Sequence, residues 1–288
     1  MREPSQASRR MPNYGYHLAR LQGRVVQQAY ERLLPRIAGR QIRYERDLPI
    51  DVFSYSGQTR LGEQIASIRS FLRHAGRPNR FVVVSDGSHS SDSIELLHRV
   101  DECVSVETVP APDLRASGGF DSYLRNHPTG KQLALVMSLP QKAPALYVDS
   151  DVRFFAQAKD LQTYFDSNAA PAYYLRDCGF AGDRRLLRND EETLPPVNTG
   201  VLLIRDRLDW SVAVSRFGQL DGAPDFFTNQ TLTHLVMHAS RAQALEPAKY
   251  VLQLDDQFTY RDRYAGPQIA LRHYVNPVRH KFWTSLIP

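Results

Sequence analysis

Short apolar segments alternate with amphipathic segments between residues 50 and 155, and this alternation restricts the possible folds more than any other pattern. Apolar runs of this length suit strands that are buried on both faces, whereas apolar residues at three- and four-residue steps indicate helices. Repeated strand–helix units predict an α/β fold with a mostly parallel central sheet, right-handed crossovers and flanking helices. The predicted strands are Ile50–Tyr55, Arg80–Ser85, Val104–Val109 and Pro144–Val148, and the predicted helices are Leu61–His74, a segment capped by Ser91 or Asp92 that ends at Val100, and a broken segment from Gly119 to Leu139.

Polar residues follow three of these strands, in the segments 55–57, 86–87 and 149–151. The carboxyl ends of parallel strands meet at one edge of a sheet, so these segments are expected to share one crevice. In an extended segment Asp149 and Asp151 point the same way and can converge on a hard cation such as Mg²⁺ or Mn²⁺. The alternative is a turn, because Asp and Ser side chains also bond their own backbone. The same alternative applies to Asp86.

Two common nucleotide-binding motifs are absent from the sequence. No Gly-x-Gly-x-x-Gly follows the first strand, and no Gly-x-x-x-x-Gly-Lys-Ser/Thr occurs anywhere. Their absence argues against a dinucleotide-binding domain and against a P-loop enzyme. If a nucleotide binds, a metal on the aspartate pair would supply the counter-charge for its phosphates.

The basic residues of the chain are concentrated near its N-terminus. Residues 1–46 contain ten Arg and three Glu, whereas the formal net charge of all 288 residues is only +5. A nucleic-acid binder usually carries its basic surface on the folded domain, so nucleic acid is not expected as a partner. Residues 1–10 have no apolar signal segment, and no run is long enough to cross a bilayer. With only two cysteines, Cys103 and Cys178, we expect reduced thiols in a cytoplasmic protein.

The N-terminal segment combines a polar start with a basic amphipathic helix. Residues 1–13 are predicted to be disordered, and residues 16–37 to form a helix. Its apolar positions are Leu18, Leu21, Val25, Ala29, Leu33 and Ile37, and arginines lie between them at positions 20, 24, 32 and 36. Such a helix can lie on an anionic membrane surface, which would make the protein peripheral to a membrane. Packing on the following domain is favoured, because the helix lacks an aromatic-rich insertion face.

After Phe155 the alternation becomes less regular. A short helix at Leu161–Asp166 and a strand at Ala170–Leu175 precede a polar segment, residues 177–196, of the kind that often forms a functional lid. A strand then begins after Pro195 and ends at Ile204. Two helices are predicted beyond it, at Trp210–Leu220 and Phe226–His238.

Four short motifs in this order resemble those of nucleotide-sugar glycosyltransferases with the GT-A fold, and in particular family 8, the glycogenin and lipopolysaccharide galactosyltransferase type. The motifs are Tyr-Val-Asp149-Ser-Asp151, Asn198-Thr-Gly200-Val-Leu-Leu, Asn229-Gln230-Thr-Leu, and His273 followed by Lys281-Phe-Trp283. The resemblance implies one GT-A domain with a Rossmann-like sheet over residues 49–288, behind a helical extension of residues 1–48. Residues 49–155 would form the nucleotide-binding half and residues 156–288 the sugar- and acceptor-binding half.

The resemblance also implies roles for individual residues. Asp149, Asp151 and His273 would hold a Mn²⁺ or Mg²⁺ ion, Lys281 would contact the donor diphosphate, and Gln230 would lie near the anomeric carbon. The other residues expected to contact the donor are Tyr55, Ser56, Asp86, Lys131, Ser150, Asn198, Thr199, Gly200, Asn229 and Trp283.

The sequence departs from the family pattern at several of these positions. Seven residues separate His273 from Lys281, where the family has five, and Phe282 replaces a proline. His280 is therefore a rival third metal ligand. Asn229 stands where the family has Asp, and Thr199 replaces a smaller residue.

The implied activity is metal-dependent transfer of a sugar from a nucleotide-sugar, favoured as a UDP-sugar, to a saccharide or other hydroxyl acceptor, as in bacterial polysaccharide biosynthesis. The amide of Gln230 is a poor nucleophile, so retention by a front-face mechanism is expected, whereas inversion would need a carboxylate base such as Asp225, Asp255 or Asp256. Two alternatives are a nucleotide-sugar-binding protein without transferase activity and a nucleotidyltransferase. The latter should show a glycine-rich loop after its first strand, and the sequence has none.

Overall fold

The computed structural model describes residues 13–109 and 119–287. The helices are α1 (Tyr14–Ala38), α2 (Leu61–His74), α3 (Ser91–His98), α4 (Gly119–Asn126), α5 (Pro128–Met137), α6 (Leu161–Asp166), α7 (Ser211–Phe217), α8 (Thr228–Ala239) and α9 (His280–Thr284). The strands are β1 (Asp47–Ser56), β2 (Arg77–Ser85), β3 (Val104–Thr108), β4 (Ala145–Val148), β5 (Val152–Phe154), β6 (Ala172–Arg176), β7 (Val197–Ile204), β8 (Gln243–Ala244), β9 (Tyr250–Val251) and β10 (Leu271–His273).

Seven of the strands form a central sheet in the order β3-β2-β1-β4-β7-β6-β8. The four strands predicted in the first half pair in parallel, while β7 runs antiparallel to both β4 and β6. All residues of β4 and β7 are buried, as expected for strands covered on both faces. The predicted mostly parallel sheet with flanking helices is thereby confirmed.

A second sheet of three strands, in the order β5-β10-β9, fixes the position of the C-terminal segment. β5 follows β4 after only three residues, and β10 pairs antiparallel with it so that His273 lies opposite Val152. The backbone N–H of Tyr274 donates to the carbonyl of Asp151 at 3.0 Å, which extends this register. The small sheet therefore brings His273, more than a hundred residues away in sequence, next to the aspartate pair.

Most predicted helices occur with bounds close to those expected. The helix predicted at Leu61–His74 is α2, and the broken segment before residue 139 is the pair α4 and α5. The break falls at His127, whose side chain caps α5 and which precedes Pro128 at the first helical position. Proline suits that position because its missing N–H would have no partner inside the helix.

The N-terminal helix α1 packs on the domain, but not through the apolar stripe that the sequence suggests. Its buried residues are small or lie elsewhere on the helix: Ala19, Gly23, Leu34 and Ala38. A Cβ atom at Gly23 would run into the backbone carbonyl of His280, so the close approach of α1 to α9 requires glycine there. The predicted stripe faces outward instead, with Leu18, Leu21 and Val25 each more than half exposed.

The prediction of disorder for residues 1–13 lies almost entirely outside the described residues. Within residues 13–109 and 119–287, no helix combines the length and apolarity needed to cross a membrane.

Candidate metal and donor site

The aspartate pair lies in the turn that joins β4 to β5, at the carboxyl end of a central strand. The backbone N–H of Asp149 donates to the carbonyl of Gly200 on β7 at 2.8 Å, and Val152 closes the turn by donating to the carbonyl of Asp149 at 3.2 Å. These backbone bonds leave both carboxylates free to project beyond the sheet. The segment is therefore a turn whose two aspartate side chains have other partners.

Asp149, Asp151 and His273 form a group whose ligand atoms all lie within 4.8 Å of one another. Nε2 of His273 is 3.1 Å from Oδ1 of Asp151 and 3.6 Å from Oδ2 of Asp149. Two carboxylate oxygens and one imidazole nitrogen suit a divalent cation such as Mn²⁺ or Mg²⁺, with the nitrogen favouring Mn²⁺. In the described part of the chain this is the group that can hold a metal ion, and His280 does not belong to it.

The other ring nitrogen of His273 is held by Asn198. Nδ1 lies 2.9 Å from Oδ1 of Asn198, and the same oxygen accepts from the backbone N–H of Gly200 at 2.9 Å. The amide nitrogen of Asn198 donates to Asp177 at 3.0 Å, which fixes the orientation of the amide. Asn198 can accept the proton on Nδ1, so Nε2 is the nitrogen that faces the aspartates. Nε2 can donate to Asp151 when it is protonated and can offer its lone pair to a metal ion when it is neutral.

Glycine is needed at position 200 because the His273 ring packs directly on it. A Cβ atom there would overlap the ring and would also crowd the side-chain oxygen of Asn198. The sequence motif Asn198-Thr199-Gly200 therefore positions the histidine, in addition to any contact with a donor.

The two aspartates have different electrostatic environments. Burial raises the pKa of Asp149 to about 6, because the nearby His273 only partly offsets the lost hydration. The pKa of Asp151 is lowered despite burial, because His273 and Arg279 both stabilise its charged form. Burial opposes the charged form of His273, but Asp151 outweighs it and raises the pKa of the imidazole. The pair thus holds negative charge in a site where a cation would be favourable.

A polar network orients the first aspartate. Oδ1 of Asp149 accepts from the hydroxyl of Tyr147 at 2.8 Å and from the amide of Gln132 at 3.2 Å. The oxygen of the Gln132 side chain in turn accepts from Asn229 on α8 at 2.9 Å. With Oδ1 occupied, Oδ2 is the oxygen that faces His273.

These residues line a cavity of about 600 Å³ beyond the ends of β1, β4 and β7, a volume within the range of small-molecule binding sites. Most of the donor-site residues expected from the sequence meet there. They are Tyr55, Asp149, Ser150, Asp151, Asn198, Thr199, Asn229, Gln230 and His273.

The structure does not bring Lys281 into this cavity. The Lys281 side chain is fully buried, and its ammonium donates to Asp256 at 3.2 Å, to Thr259 at 3.2 Å and to the carbonyl of Arg261 at 2.7 Å. A lysine held by three acceptors inside the protein is not free to contact a diphosphate. The expected diphosphate contact is therefore not supported at this residue.

His280 and Trp283 also lie away from the cavity lining. The ring of His280 packs edge-on against Tyr16 of α1, with ring centroids 5.4 Å apart, and burial lowers the pKa of this histidine to about 4. Trp283 packs with Phe282 and Tyr30 at the contact between α9 and α1. Both residues join the N-terminal helix to the domain.

Three other predicted donor contacts are near the site but do not line it. Ser56 is buried in β1, and Asp86 accepts from the N–H and hydroxyl of Ser88, at 2.8 and 2.6 Å, which is the turn alternative. Lys131 lies on α5 one residue before Gln132. Adjacent helical residues face about 100° apart, so the helix turns Gln132, and not Lys131, toward the cavity.

The cavity also contains residues to which the sequence assigned no individual role, among them the polar residues Gln132, Asp177 and Arg279. Arg279 pairs with Asp151 through its guanidinium and lies 3.6 Å from Glu63. Five residues separate it from His273, which is the spacing that the family shows between its histidine and its lysine. The number of residues after His273, and not the residue type, is therefore the sequence signal that identifies Arg279.

Solved structures of glycosyltransferases share this fold. The galactosyltransferase LgtC, in complex with donor and acceptor sugar analogues, aligns with a TM-score of 0.53 at 15% identity, over 82% of this chain and 94% of that one. The glycosyltransferase GlyE of Streptococcus pneumoniae gives 0.53 at 15% identity, over 84% and 61%. Mouse xyloside xylosyltransferase 1 gives 0.51 at 12% identity, over 81% and 99%.

By sequence, no protein-family model matches the chain, and no curated protein matches it significantly. The structural likeness establishes the fold, which is the GT-A fold of these glycosyltransferases. The fold expected from the four sequence motifs is thereby confirmed.

Proposed function

We propose that the protein is a metal-dependent glycosyltransferase that moves a sugar from a nucleotide-sugar to a saccharide or other hydroxyl acceptor. Among nucleotide-sugars we favour a UDP-sugar as the donor. The observation that carries this proposal is the group Asp149, Asp151 and His273, which lies in the cavity at the strand ends of a GT-A fold. Uncharged residues could fill any structural role at this position, so an acidic pair with an oriented histidine indicates a ligand site.

The residues present fit a divalent cation. Asp149, Asp151 and His273 would hold the ion, with Asn198 and Tyr147 orienting two of these ligands. Bound Mn²⁺ or Mg²⁺ supplies a Lewis acid and counter-charge for the departing nucleoside diphosphate.

Further positive charge at the diphosphate would come from Arg279. Its guanidinium lines the cavity and already contacts Asp151, so a short side-chain movement reaches an anion bound beside that aspartate. Arginine suits this role because its planar fork can bind two phosphate oxygens at once. Arg279 takes the place that the sequence had suggested for Lys281.

We further propose that transfer proceeds with retention. The bond from the anomeric carbon to the diphosphate oxygen breaks, the acceptor oxygen bonds to the same face of that carbon, and the acceptor proton passes to the departing phosphate. The Gln230 amide donates to the carbonyl of Ala181 at 2.7 Å, so its own oxygen is available to stabilise positive charge on the sugar. Inversion would require a base, and Asp177 is the cavity carboxylate outside the metal group within the described residues.

Transfer assays test the proposal directly. Purified protein is incubated with a panel of nucleotide-sugars and Mn²⁺, and release of nucleoside diphosphate is measured together with the anomer of the product. Melting with UDP, with and without Mn²⁺, should show stabilisation by UDP that depends on the metal. UDP-sugar binding without transfer to any acceptor would favour a binding protein. Release of pyrophosphate from a nucleoside triphosphate and a sugar phosphate would favour a nucleotidyltransferase.

We also propose that the outer face of α1 contacts an anionic membrane surface. Leu18, Leu21 and Val25 are 54%, 58% and 58% exposed at helical spacing, and Arg20 and Arg24 lie beside them. An exposed apolar stripe flanked by arginines suits the boundary between acyl chains and anionic headgroups.

Sedimentation with vesicles of equimolar phosphatidylcholine and phosphatidylserine tests this contact. Leu18→Ser with Leu21→Ser should lower the bound fraction, whereas Leu194→Ser, at a residue that is 67% exposed elsewhere, should not. Equal sedimentation of the two variants would count against a membrane role for α1.

A further inference from the structure

A second cavity, of about 710 Å³, lies where the end of α1 and the segment after it meet α2 and β5. Its lining shares no residue with that of the donor cavity. No described Asp or Glu belongs to the lining, which is instead rich in basic side chains. These are Arg40, Arg43, Arg69, Arg73, Arg153 and His74.

The arginines of this cavity have no carboxylate partner among the described residues, unlike many other arginines of the protein. Arg69 donates to the backbone carbonyl of Arg40 at 2.8 Å. Arg153 donates to the hydroxyl of Ser285 at 3.2 Å, and its buried Nε has no hydrogen-bond partner in residues 13–109 and 119–287. By contrast, Arg80 pairs with Asp51 at 2.9 Å. The positive charge around the cavity is thus left uncompensated.

The positive charges in the cavity act on one another. Burial, together with the neighbouring Arg73 and Arg153, lowers the pKa of His74 to about 4. The pKa of Arg69 is lowered by burial, with Arg40 and Arg73 contributing in the same direction. Like charges held this close destabilise the folded protein, and a bound anion would relieve that repulsion.

We propose that this cavity binds a phosphate-bearing ligand at a site separate from the donor site. Arginine guanidinium groups bind phosphate oxygens through paired, charge-assisted hydrogen bonds, and several of them around one cavity favour a multiply charged group. The chemistry is that of a diphosphate or a phosphomonoester headgroup. Such a group can belong to a soluble metabolite or to a lipid.

Calorimetric titration with inorganic pyrophosphate tests the site. The buffer contains EDTA, so the aspartate group cannot contribute through a bound metal. The test variant is Arg43→Gln with Arg73→Gln, two exposed positions whose loss should leave the fold intact. The control is Arg188→Gln with Arg207→Gln, two exposed arginines outside this cavity that remove the same charge. We expect the test variant to bind pyrophosphate more weakly by about tenfold or more, and the control to match the original protein.

A second titration distinguishes the two sources of phosphate. Dihexanoylphosphatidic acid is a soluble lipid with the same phosphomonoester, and dihexanoylphosphatidylcholine serves as its control. A loss of pyrophosphate binding alone in the test variant would indicate a soluble ligand, and a loss of phosphatidic acid binding would indicate a lipid headgroup. The proposal is overturned if the original protein binds neither probe, or if the test and control variants bind both probes equally.

Discussion

Two clusters of charged side chains meet on adjacent residues of β10, and only one of them opens to a cavity. Arg272 points into the closed cluster, where it donates to the two oxygens of Asp256 at 2.9 and 2.7 Å and also pairs with Asp262. Lys281 bonds to the same Asp256. Arg272, Asp256 and Lys281 are each 0% exposed, and with Asp262 the cluster holds two positive and two negative charges.

The open cluster begins one residue later, at His273, and its charges do not match. When His273 is neutral, as a metal ligand must be, Asp149 and Asp151 face one cation, Arg279, which also approaches the buried Glu63. Burial raises the pKa of Glu63, although Arg279 opposes that shift. The comparison shows which charges stabilise the fold and which are available to a ligand. Balanced and closed charges satisfy one another, whereas surplus acid beside a cavity favours the binding of a cation from outside.

The largest expected effect is on catalysis, from Asp151→Asn in the open cluster. We expect the transfer rate to fall by about a thousandfold, because the charge stabilisation lost with the metal amounts to several kcal/mol. The fold should persist, because asparagine keeps the shape of the aspartate side chain, although some stability is lost with the ion pair to Arg279. Initial rates and circular dichroism melts measure the two quantities. A variant that keeps most of its transfer rate would remove Asp151 from the site.

An aspartate-to-asparagine substitution in the closed cluster should mainly lower stability, whereas the one in the open cluster mainly lowers the transfer rate. Asp256→Asn leaves Arg272 and Lys281 buried with too little negative charge, so we expect a loss of about 3–5 kcal/mol in the free energy of unfolding. Urea denaturation measures it. The neighbouring Asp255→Asn is the matched control, because the side chain of Asp255 is 58% exposed and should contribute less than about 1 kcal/mol. Equal stability of the two variants would contradict the role assigned to the closed cluster.

A third comparison concerns the two basic residues near the C-terminus. At saturating Mn²⁺, Arg279→Gln should weaken UDP binding by about tenfold or more, because it removes charge-assisted hydrogen bonds to the diphosphate. Lys281→Gln should lower stability and leave the UDP affinity of the folded protein unchanged. Titration calorimetry and thermal melting give both values. If Lys281→Gln weakened UDP binding and Arg279→Gln did not, the assignment from sequence would stand and ours would fail.

Local patterns accounted for most of the fold. The helix at Leu61–His74 has the predicted bounds, and Asp149 follows a buried strand as expected. Such features depend on side-chain periodicity and on capping or breaking residues, all of which are written within a few positions of the sequence. The edge of the sheet where the site lies follows from the same patterns, because parallel strands share their direction.

Features that depend on tertiary packing could not be predicted from local sequence patterns. Arg279 comes just before α9 and faces the cavity, while Lys281, two residues later, faces the interior. Apart from the spacing of five residues between His273 and Arg279, nothing in the sequence reveals that difference. The buried face of α1 was likewise hidden, because Ala19 and Gly23 are needed for close helix approach and contribute little to hydropathy.

The smallest expected effect concerns a single hydrogen bond that orients Asp149 in the open cluster. Tyr147→Phe removes the hydroxyl that donates to Oδ1 of Asp149 at 2.8 Å while keeping the ring that packs in the core. We expect Mn²⁺ affinity to fall by about two- to tenfold, the usual worth of one such hydrogen bond. Tyr173→Phe is the control, because its hydroxyl donates to Ser167 at 3.3 Å, away from the cavity lining. Equal Mn²⁺ affinity in the two variants would mean that the amide of Gln132 alone is enough to orient Asp149.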